Sequence, residues 1–170
     1  MRLEYKPPHL DARMYLDIWA TAGTTTLAIE LKYKTRRLRA KVGDEYFDRL
    51  DQSAQDIGRC DFWQDVQRVE QIVAGRSHIV GYVIFLTNDS AYWKAPASGQ
   101  TIDAAFRMHG GRKVTGELRW GAGASEGTMR RREEPIRLKG TYSLVWEDYS
   151  SLGGRTYDKF RYLLLQIRSG

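Results

Sequence analysis

Apolar and polar residues alternate along much of this chain with the period of strands, and the strongest such passage is YLDIWATAGTTTLAIELKYK, residues 15–34. Two β-rich runs, Tyr15–Ala20 and Thr25–Tyr33, flank Gly23-Thr24, and a Gly-X pair between such runs predicts a two-residue hairpin turn of type II′. With Ala22 facing Thr25, each step outward takes one residue from either strand, so Asp17 falls opposite Glu30. In the second run Ala28, Glu30, Lys32 and Lys34 share one face, and Leu27, Ile29, Leu31 and Tyr33 share the other. The pattern therefore predicts the apolar four on a core, with the carboxylate and the ammonium projecting from the far face.

A helical stride takes over in residues 44–74. Phe47, Leu50, Ala54 and Ile57, then Phe62, Val66, Val69 and Val73, recur at steps of three and four. Gly58 and the cap-like Asp61 predict either two helices or one kinked helix, stopped at Gly75. Arg59 and Asp61 are expected to pair locally. HIVGYVIFLTN, residues 78–88, is near-continuously apolar and predicts a buried strand, parallel to 27–34 through a right-handed crossover. Sheets of this kind take ligands beyond the carboxyl ends of their strands. Thr87, Asn88 and Asp89 sit there, as a cleft lining or as a plain turn. Further on, the pattern predicts a short helix over 101–108 and strands over 113–120 and 136–146 with a glycine-rich, then charged loop between them. A turn at 149–154 and a last buried strand at 160–167 follow. At the start, Pro7-Pro8 fixes an extended segment. The order of elements reads as α/β.

Composition narrows the class. The length of 170 residues suits one domain spanning 1–170. No apolar run approaches the ~18–20 residues that cross a bilayer, and the first ten residues lack a signal-peptide core, so no membrane partner is expected. Cys60 is the single cysteine. It excludes an internal disulfide and a cysteine-built zinc site, and it fits a reducing, cytoplasmic setting. His9, His78 and His109 are too far apart in sequence to read as a ligand set. The net charge of +6 favours a polyanionic partner. The run Arg36, Arg37, Arg39, Lys41 either contacts phosphates or is a solvated connection, and Arg130-Arg131-Arg132 is a clamp or a solvated loop. No helix-turn-helix or zinc finger is present to read bases.

The chemistry starts from Asp17 and Glu30. Directly opposed residues of a hairpin have Cβ atoms roughly 4.5–5.5 Å apart, and like charges that close destabilise the pair unless something neutralises them. Hard divalent cations, which prefer carboxylate oxygen, are suited to that. By itself, E-x-K on an alternating strand reads equally as a half-exposed face.

Asp17, then twelve residues, then Glu30-Leu31-Lys32, resembles the core motif of the PD-(D/E)xK, or restriction-endonuclease-like, nucleases. The words RLEY, YLDI, AIELKYKT, QSAQDIGRCDFWQDVQRVE and GYVIFLTND are similar to small uncharacterised members of that superfamily. The resemblance covers residues 1–95 and only loosely the rest. It implies a restriction-endonuclease-like core, a central mixed sheet with helices on its faces. It also implies that Asp17 and Glu30 bind Mg²⁺ or Mn²⁺ with the Leu31 carbonyl, and that Lys32 assists an attacking water. Glu4 would supplement the metal, although the first helix that carries such a residue is nearly absent here; a solvated glutamate is the other reading. Lys34, Arg36, Arg37 and Gln55 would meet the nucleic acid, with Gln52 a second glutamine on the same stretch. The activity implied is phosphodiester hydrolysis, of DNA or of RNA, by a homodimer or with a partner subunit. The rival is an inactive nucleic-acid-binding or protein-interaction module on the same fold.

Overall fold

The computed structural model describes residues 1–7, 15–153 and 156–169. Pro8 and Gly154, read above in an extended segment and in a turn, and His9 lie outside them. In chain order the elements are β1 (Arg2–Tyr5), β2 (Leu16–Ala22), β3 (Thr25–Lys34), β4 (Leu38–Val42), β5 (Glu45–Arg49), α1 (Gln55–Val73) and β6 (Ile79–Thr87). After a 3₁₀ turn (Ala104–Phe106) come β7 (Lys113–Leu118), α2 (Glu126–Met129), β8 (Ile136–Ser143), β9 (Trp146–Ser151) and β10 (Lys159–Ile167).

The fold is α/β around a mixed sheet in the order β1-β2-β3-β6-β10-β9. β3 and β6 run parallel, with α1 in the connection, and the other neighbours are antiparallel. The β2–β3 hairpin turns at Gly23, whose φ of 58° is a backbone that glycine adopts without steric cost. Its register runs from Ala22↔Thr25 to Ile18↔Ile29, as the turn chemistry dictates.

Two expectations fail between residues 44 and 74. Glu45–Arg49 is not helical. It pairs with β4 around Gly43-Asp44, a two-residue turn in which Gly43 has φ 60°. From Gln55 onward one unbroken helix runs to Val73, so of the two readings the pair of helices is excluded: neither Gly58 nor Asp61 divides it. Gly58 serves packing instead, because a Cβ there would lie 2.4 Å from the Tyr92 hydroxyl oxygen. The strand expected over 136–146 ends at Ser143, and the turn expected from Tyr149 is occupied by β9.

Helix α1 descends antiparallel to β3, Gly58 lying near Lys34 and Val69 near Gly81, the β6 partner of Ala28. The approach is close, since a Cβ on Gly81 would stand 2.2 Å from Val69 Cγ1. On its other side α1 carries the β7–β8 pair. Glu70 of the helix is buried and accepts hydrogen bonds from the Lys139 and Gly140 amides and the Tyr142 hydroxyl of β8. Sheet, helix and hairpin thus form three layers, and the main core (Phe62, Trp63, Val66, Val83, Phe85, Leu163) fills the space between them. Being covered on two sides, α1 buries far more than one stripe of its surface.

This arrangement inverts the expected faces of β3. Thr26, Ala28 and Glu30 are buried on the side toward α1, while Leu31 and Tyr33 are 48% and 40% exposed on the other. That second face is covered by no helix among the described residues. It holds the β4–β5 hairpin and a small cluster of Leu38, Ala40 and Phe160, with Leu86 and Leu152 packed against it. Among the described residues no helix is long and apolar enough to cross a membrane.

Candidate functional site

One register step beyond Ile18↔Ile29, Asp17 falls opposite Glu30, and there the ladder changes. Asp17 Oδ2 accepts the Leu31 N–H at 2.7 Å, so a side chain takes the place of a backbone carbonyl. In a strand the N–H and C=O of one residue leave on the same side, which aims the Leu31 carbonyl toward β2 as well. The β1 register, Leu3↔Ile18 and Tyr5↔Leu16, sets Glu4 opposite Asp17 in turn. Three acids therefore occupy one row across β1, β2 and β3. Glu4 sits on an edge strand and not on a helix stub; its backbone is left-handed at φ 46°. With Leu3, Asp17, Ile18 and Leu31 it lines a shallow depression of about 440 Å³.

Glu30 and Lys32 face α1, and α1 answers them with charges that the sequence reading did not single out. Lys32 Nζ lies 2.6 Å from Asp65 Oδ2. Arg68, one helical turn on, bonds Asp65 Oδ1, donates to the Tyr15 carbonyl at 3.2 Å and stands 3.2 Å from Glu30 Oε1. This last contact is ionic only. Its direction does not meet a hydrogen bond, and Glu30 Oε1 is a buried acceptor without a donor. Burial pushes the Glu30 carboxyl up to about 8, against the lowering pull of Arg68 and with the help of nearby Asp65 and Asp17. Burial likewise raises Asp65, opposed by Lys32 and Arg68.

The other residues expected at the site lie elsewhere. Gln55 is ten residues up α1 from Asp65, about 15 Å at the helical rise, and its amide donates to Asp89 at 2.8 Å. Gln52 precedes the helix and accepts the Thr35 N–H. Asn88 is a structural tie, bonded to the backbone of Arg36 and of Tyr157. Arg36 is half-buried, 3.5 Å from Asp51 and over the Tyr157 ring, whereas Arg37 is exposed. Lys34 continues the Glu30–Lys32 face toward Gly58. Arg59 and Asp61 do not pair with each other: Arg59 meets Asp103 at 2.5 Å and Asp61 meets Arg132 at 2.5 Å. Arg132 of the arginine run is thereby tied to α1. Cys60 is buried, its thiol pushed up to about 12, mainly by burial.

The signal for Asp65 and Arg68 was present as an acid and an arginine three apart on the helix after the E-x-K strand. Nothing local says that this helix lies antiparallel over β3, which is what sets them above Lys32 and Glu30. Among the described residues no group of three or more His, Cys, Asp or Glu is arranged to hold a metal ion. No family model, no curated protein and no solved structure matches the chain.

Proposed function

We propose that this protein is a metal-dependent nuclease with a restriction-endonuclease-like core, hydrolysing phosphodiester bonds of DNA or RNA. The observation that carries the reading is the Asp17–Glu30 pair, one of whose buried oxygens, Glu30 Oε1, has no hydrogen-bond donor. Burial makes that carboxylate costly, and Arg68, 3.2 Å away, meets it without a hydrogen bond, which leaves the oxygen open to a metal ion in its place. Two carboxylates and the adjacent Leu31 carbonyl are the oxygen donors that Mg²⁺ or Mn²⁺ takes. Bound there, the ion would lower the pKa of a water and offset charge on the scissile phosphate.

The chain's own groups divide the remaining work. Asp17 is fixed by the Leu31 amide, which orients its second oxygen. Glu30, which burial keeps protonated in the metal-free chain, would give up its proton to the incoming ion and supply the second carboxylate. Lys32 stands two residues on along the same face, and Asp65 holds its ammonium in place. From there it orients the attacking water and stabilises the negative charge that develops. Lys34, Arg36 and Arg37 lie further along the chain toward the strand's carboxyl end, where the flanking phosphates would be met.

The test is cleavage of single- and double-stranded DNA and of RNA with Mg²⁺ or Mn²⁺. Activity is expected to fall about 100-fold or more in Glu30→Gln, Asp17→Asn and Lys32→Ala, with circular dichroism unchanged. Cleavage that survives all three substitutions sinks the reading. One observation favours an inactive binding module instead: the charges of Lys32 and Arg68 are already spent on Asp65 and Glu30. Salt-sensitive nucleic-acid binding without cleavage would select it.

A further inference from the structure

The geometry points to Arg68 as a built-in competitor for the divalent cation, its guanidinium holding Glu30 and Asp65 until a metal ion displaces it. This rests on the metal reading above and adds how that site is regulated.

Three acceptors from three places in the chain converge on this one guanidinium: the Tyr15 carbonyl, Glu30 Oε1 and Asp65 Oδ1. Arg68 therefore stands where a cation is called for, 3.2 Å from the one Glu30 oxygen that lacks a donor. A Mg²⁺ ion coordinating that oxygen would sit at about 2.0–2.1 Å, and Arg68 would have to give way to it. The hold on Glu30 is weak in kind, being ionic and undirected, while the firm bond of Arg68 is to Asp65. The Arg68 side chain is also 23% exposed, against 6% for Glu30. It can turn toward solvent without opening the core, keeping its helix position and its aliphatic packing.

Asp65 is held between Lys32 and Arg68 on the α1 side, near enough to Glu30 to help raise its pKa. Releasing Arg68 leaves Asp65 free of one of its two cations. Its remaining oxygen then becomes available to the loaded site, directly or through water.

Mn²⁺ titration calorimetry on the full chain tests this in wild type, Arg68→Gln and Arg68→Lys, alongside Asp17→Asn and Glu30→Gln. Arg68→Gln is expected to bind Mn²⁺ about tenfold more tightly than wild type, equivalent to about 1.4 kcal/mol, and Arg68→Lys to fall between them. Thermal melts give a second readout. Without metal, Arg68→Gln melts lower than wild type, and Mn²⁺ raises its midpoint by more. If Arg68→Gln fails to fold, the charge-conserving Arg68→Lys carries the comparison. Equal or weaker Mn²⁺ binding in the Arg68 variants, with wild-type binding still lost in Glu30→Gln, overturns the competition and leaves the nuclease reading standing. No Mn²⁺ binding by any variant, or binding indifferent to Asp17 and Glu30, overturns both.

Discussion

Glu30 is the residue on which burial, charge and the proposed chemistry meet. Its carboxyl is pushed up to about 8 in the folded chain, against an ordinary value of 4.5. The folded state then binds the proton more tightly than the unfolded chain does. Its stabilising contribution is complete below about pH 4.5 and is lost as pH rises to about 8. In metal-free buffer, wild type should lose stability relative to Glu30→Gln across that window, by at most about 1.4 kcal/mol per pH unit. Urea melts of both proteins near the two ends check it; parallel curves would show that Glu30 titrates alike in the folded and the unfolded chain. Asp65 gives a complementary prediction. Asp65→Asn removes the carboxylate that holds Lys32 and Arg68, and should cost about 1–3 kcal/mol, since both cations are partly exposed and can rehydrate, read from the same melts.

At the scale of elements, α1 organises what the strands carry. Gly81 lets it approach β6, so Gly81→Val, which puts carbon where Val69 already stands, should destabilise by about 1–3 kcal/mol or more. A denaturation midpoint unchanged by that substitution would mean that the helix sits further from the sheet. Glu70 ties the outer layer, and Glu70→Ala should loosen β8 selectively, visible as faster hydrogen exchange at Lys139 and Gly140, whose amides it caps.

The same elements show what was legible in the sequence. The hairpin register was legible from Ala22↔Thr25 to Ile18↔Ile29, because Gly23-Thr24 is local turn chemistry; the change of the ladder at Asp17 was not. So was β6, whose apolar run has no other stable home. Which face of β3 is buried was not legible, since alternation alone puts Leu31 and Tyr33 inside. The polar face is buried because Asp65 and Arg68 arrive from a helix more than thirty residues away to neutralise it. β5 was missed for a different reason: Phe47 and Leu50 happen to fit a helical stride, and Gly43-Asp44 was not read as a turn. For the site, the strand residues were in view and their helix partners were not.

The whole molecule carries a net charge of +6, which bears on encounter more than on fold. If Lys34, Arg36 and Arg37 make three phosphate contacts on duplex DNA, a fourfold rise in salt should weaken binding roughly 40-fold. Fluorescence anisotropy with labelled duplex at two salt concentrations measures the slope. A slope near zero would remove nucleic acid as the partner of this surface.

The crossover between β3 and β6 has a consequence for how the chain reaches its native state. A short hairpin such as β2–β3 zips within about 1–10 μs, whereas pairing distant segments waits on closure of a long loop and is far slower. Glu30 would therefore stay hydrated while its strand is already formed, and lose its water only when α1 docks. Refolding at neutral pH should then take up a proton in the late step, as the buried carboxyl becomes more basic. A pH-indicator dye followed by stopped flow would time that uptake against the tryptophan signal of helix docking.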